Sequence, residues 1–315
     1  MTDVRAIPNM RDVIMAAIID LARKHPDVVM LDADLASCLN SSSFGKEFST
    51  RFFNCGIAEA NMVGVAAGLA STGLVPFAHT FGCFASRRAY DQWFLSVGYA
   101  RQTVHLIGTD PGITAQLNGG THMPFEDIAL MRQVPGISVI EPADAFSGYA
   151  LTLKAYESGR SSYTRIRRKG VIHIYDENTK FELGKAIELK DGKDVAIIAT
   201  GDIMVPGALE AAKILSSKGI KATVVDLHTV KPLDTILIEK VASRTGKVLV
   251  CENGRYAGGV GEAVAAHLAR TVPVKMDFLN VGERYGEVGK LDYLAETFGF
   301  TPARIAELAE KLAKA

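Results

Sequence analysis

Cysteine is scarce in this chain, and neither sign of charge is in surplus. The four cysteines, Cys38, Cys55, Cys83 and Cys251, are scattered without a C-x-x-C pair. That scatter excludes a disulfide scaffold and a thiolate metal cluster as organising features. Free thiols in a reducing cytosol are the simplest account, so the expected compartment is cytoplasmic. Lys+Arg and Asp+Glu both number 35, giving a formal net charge of zero. Such a balance gives no support for nucleic acid or an anionic membrane as partner. No apolar run approaches the ~20 residues needed to cross a bilayer. The opening MTDVRAIPNMRD carries acids and lacks the apolar core of a signal peptide. Short repeats and low-complexity segments are also missing.

What is present is a chain of 315 residues, 48% hydrophobic and 22% charged, which suits two soluble domains of ordinary size. The first half alternates helix and strand patterns. Val13, Ile14, Ala17, Ile18 and Leu21 recur at helical spacing within Arg11 to Lys24. Val28 to Leu31 reads as a buried strand ending in Asp32-Ala33-Asp34, and Asn61 to Ser71 as a helix. Strands are expected at Val75 to Ala78, Thr103 to Gly108 and Ile137 to Ile140, with a helix from Ala143 to Glu157. The polar stretch from Lys169 to Asp194 predicts a linker. A second series follows: strands at Val195 to Thr200, Lys221 to Leu227 and Lys247 to Cys251, and helices from Pro206, Leu233, Gly261 and Ala303. The expected fold is α/β, with two doubly wound domains spanning 1–185 and 190–315 and mostly parallel sheets.

Five motifs stand out. The run Asn54-Cys55-Gly56-Ile57-Ala58-Glu59-Ala60-Asn61-Met62-Val63-Gly64 sets one carboxylate, Glu59, in a small apolar stretch. Desolvation there raises a carboxyl pKa and readies it to share a proton with a nitrogen base; the alternative is a plain helix cap favoured by the dipole. Gly119-Gly120-Thr121-His122 follows the turn Thr109-Asp110-Pro111-Gly112, which places His122 at the carboxyl end of a strand, where α/β sheets bind ligands. His79 follows a strand toward the same crevice, while His105 is expected to be packed. Phe81 and Phe84, three apart, are expected on one helical face, either as core or as a stacking wall for a flat heterocycle. Arg165, Arg167, Arg168 and Lys169 are either a solvated edge strand or an anion clamp. Gly258-Gly259-Val260-Gly261 is short of a full dinucleotide pattern, and tight helix packing is the simpler reading.

Taken in order, these segments resemble the C-terminal half of transketolase and the related halves of 1-deoxyxylulose-5-phosphate synthase and the 2-oxo acid dehydrogenase E1 beta subunit. The resemblance covers nearly the whole chain, through Asp32-Ala33-Asp34-Leu35, Gly56 to Met62, Thr80-Phe81 through Phe84, Gly119 to His122, Glu141-Pro142-Ala143-Asp144, Thr229 to Asp234 and Gly258 to Glu262. It implies a pyrimidine-binding domain followed by a transketolase C-terminal domain, with thiamine diphosphate as cofactor. Glu59 matches the glutamate that protonates N1′ of the aminopyrimidine, the step that leads to the thiazolium ylid. Phe84 matches the stacking aromatic with Phe81 beside it, and Asp34 an acidic residue near the cofactor. His122 matches a histidine on the substrate's oxygens. Arg168 and Arg11 fall where substrate-phosphate arginines stand.

Departures accompany the match. Asn118 replaces an aspartate that contacts a substrate hydroxyl. Asp110 replaces a histidine, as in the deoxyxylulose synthases, and Arg87 a tyrosine. Cys38 stands at a phosphate-contacting serine, so a branched or sulfonated sugar is a possible substrate. The G-D-G motif of the diphosphate half is absent, and Gly201-Asp202-Ile203 breaks it. The expectation is therefore a split transketolase. A separate N-terminal subunit supplies Mg²⁺ (or Ca²⁺) and diphosphate binding, sugar phosphates are the substrates, and Gly64-x-x-x-Gly68 packs in a dimer of heterodimers. The alternatives are a deoxyxylulose-phosphate synthase half, an E1 beta subunit, or a non-catalytic interaction subunit.

Overall fold

The computed structural model describes residues 2–315. The chain forms two compact units. The first runs up to Pro111 and resumes over Leu130–Leu183; the second combines Gly112–Ala129 with Gly184–Ala315. The segment bearing Asn118 and His122 thus packs with the second unit, whereas the sequence places everything before 185 in the first. A strand-and-helix pattern records local order, and residues 112–129 carry no strand by which to assign them.

The first unit contains β1 (Val28–Asp32), β2 (Phe52–Asn54), β3 (Val75–Phe81), β4 (His105–Thr109), β5 (Ser138–Ile140) and β6 (Ser162–Ile166). They lie in the order β5-β6-β4-β3-β1-β2, and each of these pairings is parallel. β1, VVMLD, is buried at every position, as expected of a strand covered on both faces. The helix Met10–Lys24 turns Val13, Ile14, Ala17, Ile18 and Leu21 into the core. It packs on the helix Ala145–Glu157. Gly148 permits that approach, since a Cβ there would lie 2.8 Å from Met10 Sδ. Asp144 caps the second helix: Oδ1 accepts the Ser147 amide at 2.8 Å, and Oδ2 accepts the amides of Ile174 and Tyr175 at 2.9 Å each.

β6 is an interior strand, between β4 and β5. Arg165 on it is fully buried, with Nε 3.2 Å from Glu141 Oε1. The basic cluster is therefore neither a solvated edge nor a single clamp: Arg165 braces the sheet, and Arg168 lies beyond the strand's end.

The second unit contains β7 (Ile187–Lys190), β8 (Val195–Ala199), β9 (Ala222–Asp226), a short β10 (Thr229–Lys231), β11 (Lys247–Cys251) and β12 (Lys275–Leu279). Its five-stranded sheet has the order β12-β11-β8-β9-β7, parallel except for β7 on β9. The helix expected from Pro206 starts at Gly201, directly after β8, and carries Pro206 inside it. No helix among the described residues is long and apolar enough to cross a membrane.

Two buried histidines tie stability to pH. Burial pushes His105 down to about 3 and His228 down to about 4. An unfolded histidine titrates near 6.5. Below that value the unfolded chain takes up protons that the folded chain refuses. Stability is full above pH ~6.5 and falls toward pH 4, by up to about 1.4 kcal/mol per pH unit for each histidine. Urea midpoints at pH 7.5 and 5.0 should therefore differ, the lower pH being the weaker. Identical midpoints would contradict the assignment.

Candidate functional site

Glu59 opens the helix Glu59–Ser71, two residues earlier than the periodicity suggests. The chain reaches it from β2 through Gly56, whose φ of +71° suits glycine. Glu59 is 2% exposed. Both of its oxygens face Arg88 Nη1, at 3.1 and 3.0 Å. The Arg88 guanidinium lies 4.1 Å from the centroid of the Phe84 ring. Phe81 and Phe84 stand 6.1 Å apart at 60°, edge to face. Their contact does not come from one helical face: Phe81 ends β3, and Phe84 begins a π-helical turn, Phe84–Arg88. Such turns recur at functional sites.

A buried carboxylate next to a half-buried ring suits a flat, protonatable heterocycle. Arg88, itself flat and cationic, makes both contacts that such a heterocycle makes. Asp34 is exposed at the end of β1 with φ +61°. Its amide donates to Asn54 Oδ1 at 3.1 Å, and Asn54 Nδ2 donates back to Asp34 Oδ1 at 3.0 Å. The Gly56 amide also donates to Asn54 Oδ1, at 3.0 Å. Asn54 thus ties the turn before Glu59 to Asp34, a role that its place in the sequence does not signal.

The carboxyl ends of β1, β3, β4 and β6 gather a second group. Asp32 Oδ2 accepts from Ser41 Oγ at 2.8 Å and lies 2.9 Å from His79 Nδ1; His79 Nε2 lies 3.2 Å from Thr109 Oγ1. Asp32, His79 and Thr109 are all fully buried. His79 therefore faces no open crevice, contrary to its expected substrate contact, because both ring nitrogens are engaged inside the sheet.

Asp110 follows β4 with φ +58° and is 3% exposed. Its Oδ1 accepts the Arg168 amide at 3.1 Å, and its Oδ2 pairs with Arg168 Nε. Burial pushes the Asp110 carboxyl up, against the charge and hydrogen bonds of Arg168 and the charge of His79. Arg168 Nη1 donates to Cys38 Sγ at 3.0 Å, and the guanidinium stands 5.0 Å from the Phe81 centroid. Arg11 Nη1 donates to the Ser37 carbonyl at 2.9 Å, and Arg11 Nε lies 3.7 Å from Asp12 Oδ1. Two guanidiniums thus converge on Ser37-Cys38, each beside a carboxylate.

In the second unit, His122 ends a one-turn helix, Gly120–His122, half-buried, with Nδ1 2.9 Å from Thr121 Oγ1. Asn118 is exposed. The Gly258 to Gly261 turn opens the helix Val260–Thr271. Its Val260 and Gly261 amides are taken by the chain's own Glu252 carboxylate, at 2.7 and 3.0 Å. The turn is therefore a packing device, as the short pattern suggests. Glu252 and its neighbour Asn253 carry no sequence motif of their own, and the pairing is visible only in three dimensions.

Residues 7–170 match the family described as transketolase, pyrimidine binding domain, and residues 184–305 match the transketolase C-terminal domain. The chain is 44% identical, over 96% of its length and 94% of the relative's, to the 6-deoxy-6-sulfo-D-fructose transketolase subunit SqwH of Clostridium sp. (strain MSTE9). It is 39% identical, over 92% of each chain, to a putative transketolase C-terminal section of Methanocaldococcus jannaschii. A solved structure titled split gene transketolase, inactive beta4 tetramer, superposes with a TM-score of 0.91 at 38% identity, covering 98% of this chain and 99% of that one.

Proposed function

This chain belongs to the transketolase family, and we propose that it is the C-terminal subunit of a split, thiamine-diphosphate-dependent transketolase. Its reaction moves a two-carbon ketol unit from a ketose to an aldose. The observation that carries this reading is buried Glu59 at a helix start, joined to the Phe84 ring through Arg88, in a chain matching both domains in order.

When bound, thiamine diphosphate supplies the nucleophilic carbon and the electron sink for ketol transfer. The residues of this chain bind and orient. Glu59 holds a proton at the pyrimidine ring nitrogen, in a site where little water competes for it. Phe84 and Phe81 give the ring a flat apolar wall, and Asp34 stands close by. Arg88, whose side chain is half-exposed, is the group that a bound ring would displace from Glu59. His122 and Asn118 hydrogen-bond substrate oxygens. Arg11 and Arg168 hold the anionic end of the sugar, with Cys38 donating or accepting weakly. Asp110 and Asp12 offset those two positive charges. That balance favours a singly charged terminal group, such as a sulfonate, over a doubly charged phosphate.

Mg²⁺ (or Ca²⁺) and the diphosphate fall to a separate N-terminal subunit, since this sequence lacks the G-D-G motif. In the helix Glu59–Ser71, a Cβ added at Gly64 or Gly68 would meet nothing within 4 Å beyond its chain neighbours and the helix's own backbone, and Val65 between them is exposed. This open face suits close packing against another chain in a dimer of heterodimers.

A ketol-transfer assay tests the proposal. The chain alone should be inactive, and activity should appear when its N-terminal partner, Mg²⁺ and thiamine diphosphate are added. Sedimentation of the active mixture should show two copies of each subunit. Turnover by the isolated chain would overturn the split assignment.

A further inference from the structure

β11 ends at Cys251, and Glu252-Asn253-Gly254-Arg255 follow. Glu252 and Asn253 are buried, at 1% and 2% exposure. The Glu252 carboxylate, bound to the two amides opening the helix Val260–Thr271, complements the positive end of that helix and fixes the turn to it. Gly259 must be glycine for this, because a Cβ there would lie 2.4 Å from Glu252 Oε2.

The fixed turn grips another segment at both ends. Asn253 Oδ1 accepts the Ile113 amide at 3.1 Å. The Arg255 amide donates to the Phe125 carbonyl at 2.6 Å, and the Gly112 amide to the Pro124 carbonyl at 3.2 Å, closing the neck of the loop. Gly112 sits so tightly that a Cβ would lie 2.1 Å from Asn253 Oδ1. Asn118 and His122 lie inside this loop. Gln116, not a glycine, is held within it at φ +50°. A strained residue persists only where its surroundings over-determine it.

We propose that Asn253, itself set by Glu252, is a positioning residue: it fixes the loop of residues 113–125 and thereby aims Asn118 and His122 at substrate hydroxyls. This rests on the reading of those two residues as substrate contacts. An untethered loop places the same side chains loosely, and misplacement by about 1 Å costs up to about 10²-fold in rate.

The test compares two acceptors of nearly equal shape, glycolaldehyde and propanal, which differ by a hydroxyl against a methyl. In the complex with the N-terminal subunit, Asn253→Ala should cut kcat/KM for glycolaldehyde by about tenfold or more and for propanal by less than about threefold. Gly112→Ala, which drives a Cβ into the same amide, should act alike. Hydrogen exchange on the full chain is the second readout: in Asn253→Ala the amides of 113–122 should exchange about tenfold faster, with β8 and β11 unchanged. Equal losses on both acceptors, or unaltered loop exchange, would overturn the proposal. If the wild-type complex shows no preference for glycolaldehyde, the substrate-contact reading fails, while the exchange measurement still decides whether Asn253 holds the loop.

Discussion

Glu59→Gln should abolish ketol transfer in the reconstituted complex while leaving its assembly intact. Glutamine keeps the shape and the hydrogen-bonding reach of the side chain but cannot give or take a proton. Losing a positioned proton-transfer group typically costs about 10²–10⁴-fold in rate. The structural cost is small by comparison. The Glu59 partner is Arg88, whose side chain is 50% exposed, so water replaces the lost carboxylate at the guanidinium. An ion pair with one member so exposed contributes on the order of 1 kcal/mol or less. The variant should therefore sediment as the wild type does and unfold at a similar midpoint. Turnover within a few-fold of wild type would place Glu59 outside the chemistry and favour a passive, cap-like role at the helix start.

The distance between what the sequence announces and what the structure adds follows the range of the forces involved. Val13 to Leu21 at helical spacing and the buried run at Val28 to Leu31 are short-range patterns, and they predict their elements within a residue or two. Glu59 is legible because an acid in an Ala/Gly-rich stretch is conspicuous. Phe81 and Phe84 meet as a pair, yet through a strand end and a π-helical turn, because β3 continues three residues past its apolar core. Arg165 and Glu141 form a buried pair across neighbouring strands, which charge counting along the chain misreads as a surface feature. Glu252 and Asn253 are the extreme case. Asn253 meets the Ile113 amide 140 residues away in the chain, so no window of sequence contains both partners.

Asp110→Asn should shift the enzyme's preference toward phosphorylated sugars. Asp110 is 3% exposed and paired with Arg168, so its charge acts where water screens weakly. A unit charge some 5 Å from another is worth about 3 kcal/mol at an effective dielectric constant of ~20. A phosphate dianion feels this repulsion twice, and a sulfonate once. Removing the charge frees Arg168 for the substrate and relieves the dianion by one unit more than the monoanion. The ratio of kcat/KM for a phosphorylated ketose to that for its sulfonated analogue should then rise about tenfold or more, the full Coulomb difference being reduced by relaxation and residual screening. Asparagine retains an acceptor for the Arg168 amide, which now lies 3.1 Å from Oδ1, so the turn after β4 keeps its shape. On the proposed anion-holding role of Arg168, Arg168→Ala should give the complementary result, weakening both anionic substrates together because it removes the attraction itself. A ratio unchanged by Asp110→Asn, with both rates intact, would show that the carboxylate serves only to hold Arg168, and that the sugar's charge is read elsewhere.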